Sequence, residues 1–356
     1  MCWAFGRTHV VTYQMTHIAT STSGTAAHIT LDRPRALNAL TTDMCADIRA
    51  ALDSWRGEPG ITHVVVSGSG DRAFCAGGDV VMLHDSGKAD DGRAEDFWRT
   101  EYALNVAIAE YPKPYIALVD GIVMGGGVGL SVHGDYRVAG DGTMFAMPET
   151  GIGYFPDVGG TWFLPRLGEA VGNWLGLTGA RLGPSECFAL GIATHVVPSG
   201  EHDALRDALS DCDDVDACLA EFHTEPAKWD LPDGIDCFLQ PDVPSIVTAL
   251  ENHGGEWAAR QAELMWRKSP LAMSVTLEAL ERGRESDTFR DAMSNELTLS
   301  LNFLRTQDFF EGIRAQLIDK DRKPQWSHAL GEVTREQVER LFRPNNGAQG
   351  APLVFT

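Results

Sequence analysis

The strongest constraint on this chain comes from two short apolar runs, His63 to Ser67 (HVVVS) and Tyr115 to Val119 (YIALV), each of which leads into a glycine-rich segment. Runs of this length, rich in Val, Ile and Leu and closed by turn residues, read as buried strands. The segments that follow are AFCAGGD, residues 73–79, and GIVMGGGVGLSVHGD, residues 121–135. Glycine lets a backbone approach a ligand closely, and N–H groups at the start of a helix have no partner within it. Gly125, Gly126 and Gly127 are therefore either a tight strand-to-helix turn or part of an anion-binding loop. Two such loops on different strands can bring two N–H donors to one carbonyl oxygen, the arrangement of an oxyanion hole. A dinucleotide fold is excluded, because GxGxxG is not matched and no acidic residue ends a following strand.

The pattern around these loops places them in an α/β core. Ala27, Ile29 and Leu31 alternate with polar neighbours as in a half-buried strand. Met44, Ile48, Leu52 and Trp55 recur at helical spacing behind the N-cap candidates Thr41 and Thr42. A further strand pair is expected at Tyr136 to Ala139 and Met144 to Met147. Pro184 suits a first helical turn, Gly191 a helix end, and Ile192 to Val197 a closing strand. The expected organisation is a disordered leader at 1–20, a core at 21–200, an acidic linker or helical segment at 201–242, and an all-helical region at 243–356. In that last region helical periodicity runs through Pro244 to His253, Glu256 to Lys268, Pro270 to Arg282 and Thr288 to Leu304. No internal repeat is visible.

Charge narrows the function classes. The 356 residues carry a formal net charge of -21, which repels phosphate backbones and anionic lipid, so no nucleic-acid partner is expected. No run approaches the roughly 18 to 20 apolar residues of a membrane helix, so no membrane span is expected. Seven cysteines without paired spacing point to reduced thiols and a cytoplasmic setting. His28, His63, His84 and His133 lack metal-ligand spacing, so no metal is expected. Cys75 has no nearby base pattern, and Ser131 does not sit in a GxSxG elbow.

The remaining chemical signal is MPETGIGYFPDVGGTWFLPRLG, residues 147–168, where Glu149 and Asp157 stand among apolar and aromatic residues. Burial raises a carboxyl pKa and suits it for acid, base or nucleophilic work on a thioester. The plainer alternative is that Glu149 caps a helix or pairs with Arg166.

LDRPRALNAL, AFCAGGDV, KPYIALVDGIVMGGGVGLSVHGDYRVA and FAMPETGIGYFPDVGGTWFLPRL together resemble, in order, the crotonase (enoyl-CoA hydratase/isomerase) superfamily. The resemblance implies a spiral of ββα units with a C-terminal helical region, an acyl-CoA substrate and no separate cofactor. It also implies a homo-oligomer, a trimer or hexamer as in the superfamily or something smaller. By position the thioester oxygen would meet the N–H groups of Gly78 and Gly126. GGGVGLSVHG, LTGARL, GIATHVV, WRKSPLAMSVTLEAL and DFFEGIRAQLIDKDRKPQW are similar to its branch of small 3-hydroxyacyl-CoA hydrolases. That branch implies Glu149 and Asp157 as the catalytic pair and Glu101 beside the acyl group, with Arg33 and Arg35 at the CoA phosphates. A hydratase would carry its first glutamate three residues after Gly126, where this chain has Gly129. The chain departs from the family at Tyr154, Thr161 and the acidic stretch 201–242.

Overall fold

The computed structural model describes residues 11–14, 17–344 and 353. Ten strands form two sheets: β1 Val11–Gln14, β2 Ile18–Ser23, β3 Ala26–Leu31, β4 His63–Gly68, β5 Ala73–Cys75, β6 Tyr115–Val119, β7 Ile122–Met124, β8 Tyr136–Ala139, β9 Met144–Ala146 and β10 His195–Val196. The larger sheet has the order β1-β2-β3-β4-β6-β8-β10 and the smaller β5-β7-β9. β1, β2 and β3 run antiparallel, and the remaining pairs are parallel.

The split follows one rule. The pairs β4–β5, β6–β7 and β8–β9 each send their first strand to the large sheet and their second to the small one. The predicted strand pair at 136–147 is thus two strands in different sheets. This unit is repeated three times in space although the sequence shows no repeat, because its second strands are only three residues long and leave almost no periodicity to read. The result is the expected spiral of ββα units.

The large sheet is buried on both faces, and its side chains alternate between them. Val64 and Val66 face the main core, as do Ala117 and Val119. Val65, Ile116, Leu118 and Val138 face the other way, onto Leu205, Leu209 and Leu219. Those leucines belong to helices His202–Ser210 and Val215–Phe222, inside the segment expected as an acidic linker or helical segment. The segment is therefore a cover for the sheet. Its acidic residues, among them Asp203, Asp207 and Asp213, take the solvent side. The expected leader at 1–20 is also revised: β1 and the start of β2 extend the sheet at its edge, whereas residues 1–10 lie outside the described part.

Thr41 is the N-cap of helix Thr42–Arg56, its hydroxyl accepting from the Met44 N–H at 3.2 Å. The C-terminal helices Val243–His253, Glu256–Trp266, Pro270–Glu285 and Phe289–Phe303 match the periodicity closely. Their apolar sides join the same continuous core as the sheets, so the annex and the α/β part share one interior. Among the described residues no helix is long and apolar enough to cross a membrane.

Candidate active site

The three strands of the small sheet run parallel, so their carboxyl ends lie side by side, where ligands of open α/β sheets bind. β5 ends into Ala76-Gly77-Gly78, β7 into Gly125-Gly126, and β9 into Met147-Pro148-Glu149. These three ends wall a cleft of about 770 Å³ that also reaches Glu101, Asp157 and Lys268. The first two loops are in contact: a Cβ at Gly77 would lie 3.5 Å from the Met124 carbonyl oxygen and 3.8 Å from the Gly126 nitrogen. Gly125 has φ +48°, a conformation glycine tolerates. Among the described residues, the N–H groups of Gly78 and Gly126 donate to no protein acceptor.

Glu149 opens the 3-10 turn Glu149–Ile152. Its side chain is buried, Oε1 lies 3.3 Å from the position of a Gly125 Cβ, and Oε2 makes no hydrogen bond. Burial pushes this carboxyl well above its usual range and the Asp157 charge adds to the effect, against the residue's own backbone N–H and Lys268. The alternative pairing fails, because Arg166 stacks on the Trp162 ring with Cζ 3.3 Å from its centre and donates to the Gly283 carbonyl.

Asp157 sits at the centre of a buried hydroxyl cluster. Tyr102 donates to its Oδ2 at 2.7 Å. Tyr154 donates to the same oxygen at 3.2 Å and lies 2.6 Å from the Ser300 hydroxyl, and Ser300 donates to the Glu296 carbonyl oxygen at 2.7 Å. Burial raises the Asp157 carboxyl to about 6, and the two tyrosine hydroxyls hold it below what burial alone would give. Tyr154, one of the departures from the family pattern, thus supplies a polar contact where Leu or Phe is common. Glu101, on helix Arg93–Ala109, packs against Gly126 with Oε1 unpartnered; burial raises its carboxyl, with Asp157 and Glu296 adding.

Arg33 lines the cleft, with NH2 on Asp79 at 3.3 Å and NH1 on the Ala39 carbonyl. Arg35 does not line it and is exposed on the turn Pro34–Ala36. The structure thus groups Gly78, Gly126, Glu149, Asp157, Glu101 and Arg33 around one cleft and leaves Arg35 outside it.

The profile of the enoyl-CoA hydratase/isomerase family matches residues 26–342. The chain belongs to this family. Curated relatives of this crotonase-fold chain include "3-hydroxyisobutyryl-CoA hydrolase, mitochondrial" of Homo sapiens, 42% identical over 90% of this chain and 86% of that one. The protein of the same name from Gallus gallus is 41% identical over 90% and 87%. A solved structure titled carnitinyl-CoA dehydratase, from Mycobacterium thermoresistibile, superposes with a TM-score of 0.90 at 39% identity, covering 96% of this chain and 99% of that one. One titled enoyl-CoA hydratase, from Rhodobacter sphaeroides 2.4.1, gives 0.83 at 40% identity, covering 92% and 98%.

For a crotonase, the position three residues after Gly126 matters most. A Cβ at Gly129 would lie 2.7 Å from the Val158 Cβ and 2.8 Å from Asn105 Nδ2, so neighbours already fill the space a glutamate would need. Sequence reading missed Tyr102, Glu296, Ser300 and Lys268. Glu296 and Ser300 are four apart on the buried face of Phe289–Phe303, and polar residues at core positions of an apolar stripe were the available signal. Lys268 has no such signature. Two other candidates are core residues. The Cys75 thiol is pushed up to about 12 by burial, and the Ser131 hydroxyl donates to the Gly127 carbonyl. Among the described residues no three His, Cys, Asp or Glu side chains are grouped to hold a metal.

Proposed function

We propose that this protein hydrolyses the thioester of a small 3-hydroxyacyl-CoA, 3-hydroxyisobutyryl-CoA or the related 3-hydroxypropionyl-CoA, releasing the hydroxy acid and CoA as in valine breakdown. The observation that carries the reading is the buried Glu149 carboxyl beside Gly125, its Oε2 without a partner, and the unused N–H of Gly126, with no acid at position 129. The N–H groups of Gly78 and Gly126 would hold the thioester oxygen as it gains negative charge. Glu149 acts in one of two ways. It attacks the carbonyl carbon, expelling CoA thiolate and leaving a mixed anhydride that water cleaves, or it takes a proton from the attacking water. Asp157, fixed by Tyr102, would meet the 3-hydroxyl or the water. CoA arrives as part of the substrate, and no further cofactor is needed.

The similarity to solved structures named as a carnitinyl-CoA dehydratase and an enoyl-CoA hydratase favours hydration as a second reading. The filled space at Gly129 weighs against it, since hydration by this family's route uses an acid there. A non-catalytic CoA-binding role would leave buried Glu149 and Asp157 without a use for their cost. Two finer points belong to the same proposal. Free thiols favour the cytoplasm, whereas the curated relatives are named as mitochondrial, and cell fractionation separates these. A trimer, hexamer or smaller homo-oligomer is resolved by sedimentation.

The test mixes the protein with 3-hydroxyisobutyryl-CoA and follows free thiol with a chromogenic disulfide, with crotonyl-CoA in parallel. Thiol release that falls at least about a hundredfold in Glu149→Gln is the expected result. Loss of the crotonyl absorbance without thiol release would replace hydrolysis by hydration.

A further inference from the structure

The Glu149 carboxyl poses a problem that the hydrolase reading leaves open. Both of its proposed roles need the anion, yet burial and Asp157 favour the acid form. The residue's own backbone N–H opposes them, and so does a cation whose segment comes from more than a hundred residues away. The Ser269 N–H donates to the Thr150 carbonyl at 3.1 Å, tying the start of helix Pro270–Glu285 to the turn that carries Glu149. The Ser269 hydroxyl is fixed in turn, bonding Asp308 at 2.5 Å and accepting from the Ala272 N–H at 2.9 Å. Lys268, the residue before this anchor, is half-buried on the cleft wall.

Its ammonium reaches Gly151: a Cβ there would stand 3.1 Å from Lys268 Nζ. The absence of a side chain at 151 therefore makes the space in which the lysine lies. Among the described residues Lys268 donates no hydrogen bond and has no ion pair within 4.0 Å, although its charge acts on Glu149. Arg33, Arg181 and Arg322 also line the cleft, but Arg33 is already held by Asp79, and of the four cations Lys268 is the one whose charge acts on Glu149.

We propose that Lys268 is a positioning residue for the reaction, its ammonium acting as the counter-charge that keeps the Glu149 carboxylate ionised in the closed cleft. The inference rests on the hydrolase reading for its consequence but not for its measurement. Asp157 faces Glu149 from its own loop and Glu101 stands on the opposite helix wall of the same cleft. Lys268 faces it from the C-terminal helices, with Arg181 acting on Lys268. Burial lowers the lysine to about 8, with Arg181 adding and Glu149 opposing. The ammonium is therefore lost as the pH rises through about 8, while the Glu149 anion is lost as the pH falls.

The experiment compares wild type, Lys268→Met and Lys268→Arg in two readouts. The first is titration of the Glu149 side-chain carboxyl carbon by NMR on glutamate-labelled protein, assigned with Glu149→Gln. The second is the pH profile of kcat/KM for thiol release. Lys268→Met should raise the Glu149 titration and the acidic limb by about one pH unit or more. Lys268→Arg should restore both and carry activity above pH 8, because a guanidinium stays charged there. An unchanged Glu149 titration in folded Lys268→Met overturns the proposal, as does a Lys268→Arg variant that behaves like Lys268→Met. If wild type releases no thiol at all, the hydrolase reading fails while the titration still decides the role of Lys268.

Discussion

Replacing Asp157 by Asn should make the protein more stable and less active at once. The carboxyl titrates at about 6 in the fold against an ordinary 3.8. At pH 7 the folded chain therefore holds an anion that water would solvate better. A shift of about two pH units is worth about 3 kcal/mol of lost stability at pH 7. Because the folded state keeps its proton longer, stability from this group falls as the pH rises from about 4 to 6 and then levels off. The amide removes the charge and still accepts from Tyr102, though a neutral bond is weaker by about 1 kcal/mol. The net gain expected at pH 7 is about 1 to 2 kcal/mol. At pH 5 it should shrink by about 1 kcal/mol, since wild-type Asp157 by then mostly carries its proton. Urea unfolding followed by tryptophan fluorescence at both pH values measures the difference, with thiol release assayed on the same samples. A variant less stable than wild type at pH 7, or one whose gain is equal at pH 5, would refute the burial argument.

Gly129→Glu restores the acid that hydration needs but should not confer it. Val158 and Asn105 occupy the space, so the variant should lose about 1 to 3 kcal/mol of stability and leave the crotonyl-CoA absorbance unchanged. Leu209→Ala tests the role of the acidic segment. A residue in a linker would tolerate the change, whereas this fully buried one, packed on the outer face of the large sheet, should cost about 2 to 5 kcal/mol in the same unfolding assay.

What was legible in the sequence was what leaves a local trace. Strands β4 and β6 are unbroken apolar runs, and the helices between 243 and 304 repeat at 3.6 residues, so the ends of both are legible to within three residues. The glycine loops announced themselves through a composition that few other roles require. Long-range facts were not legible. Helices 202–210 and 215–222 carry so much acid on their solvent side that their average composition hides the leucine stripe that covers the sheet. Arg35, one residue beyond Pro34, is expected at the CoA phosphates by its position in a motif; it stands exposed on the turn Pro34–Ala36 and does not line the cleft. Lys268 could not be found from sequence, since its meaning depends on a hydrogen bond from Ser269 to Thr150.

The same contrast explains why the helical region is part of the site and not an addition to it. The strand ends alone bring together two N–H donors and Glu149, a set that can polarise a thioester but leaves its carboxyl favouring the proton. The helices supply the rest of the setting. Ser300 orders the Tyr154 hydroxyl beside Asp157, and Glu296 binds the N–H groups of Gly159 and Thr161 at 2.8 and 3.0 Å, fixing the loop that carries Asp157. Burial raises Glu296 itself to about 8, so this support is bought with a second buried acid. Asp157 and Glu296 thus both titrate above their ordinary range because the helices close over them. The closure that weakens the fold at neutral pH also strengthens each charge interaction among these buried groups. The glycine loops therefore act in an electrostatic setting that the helices make.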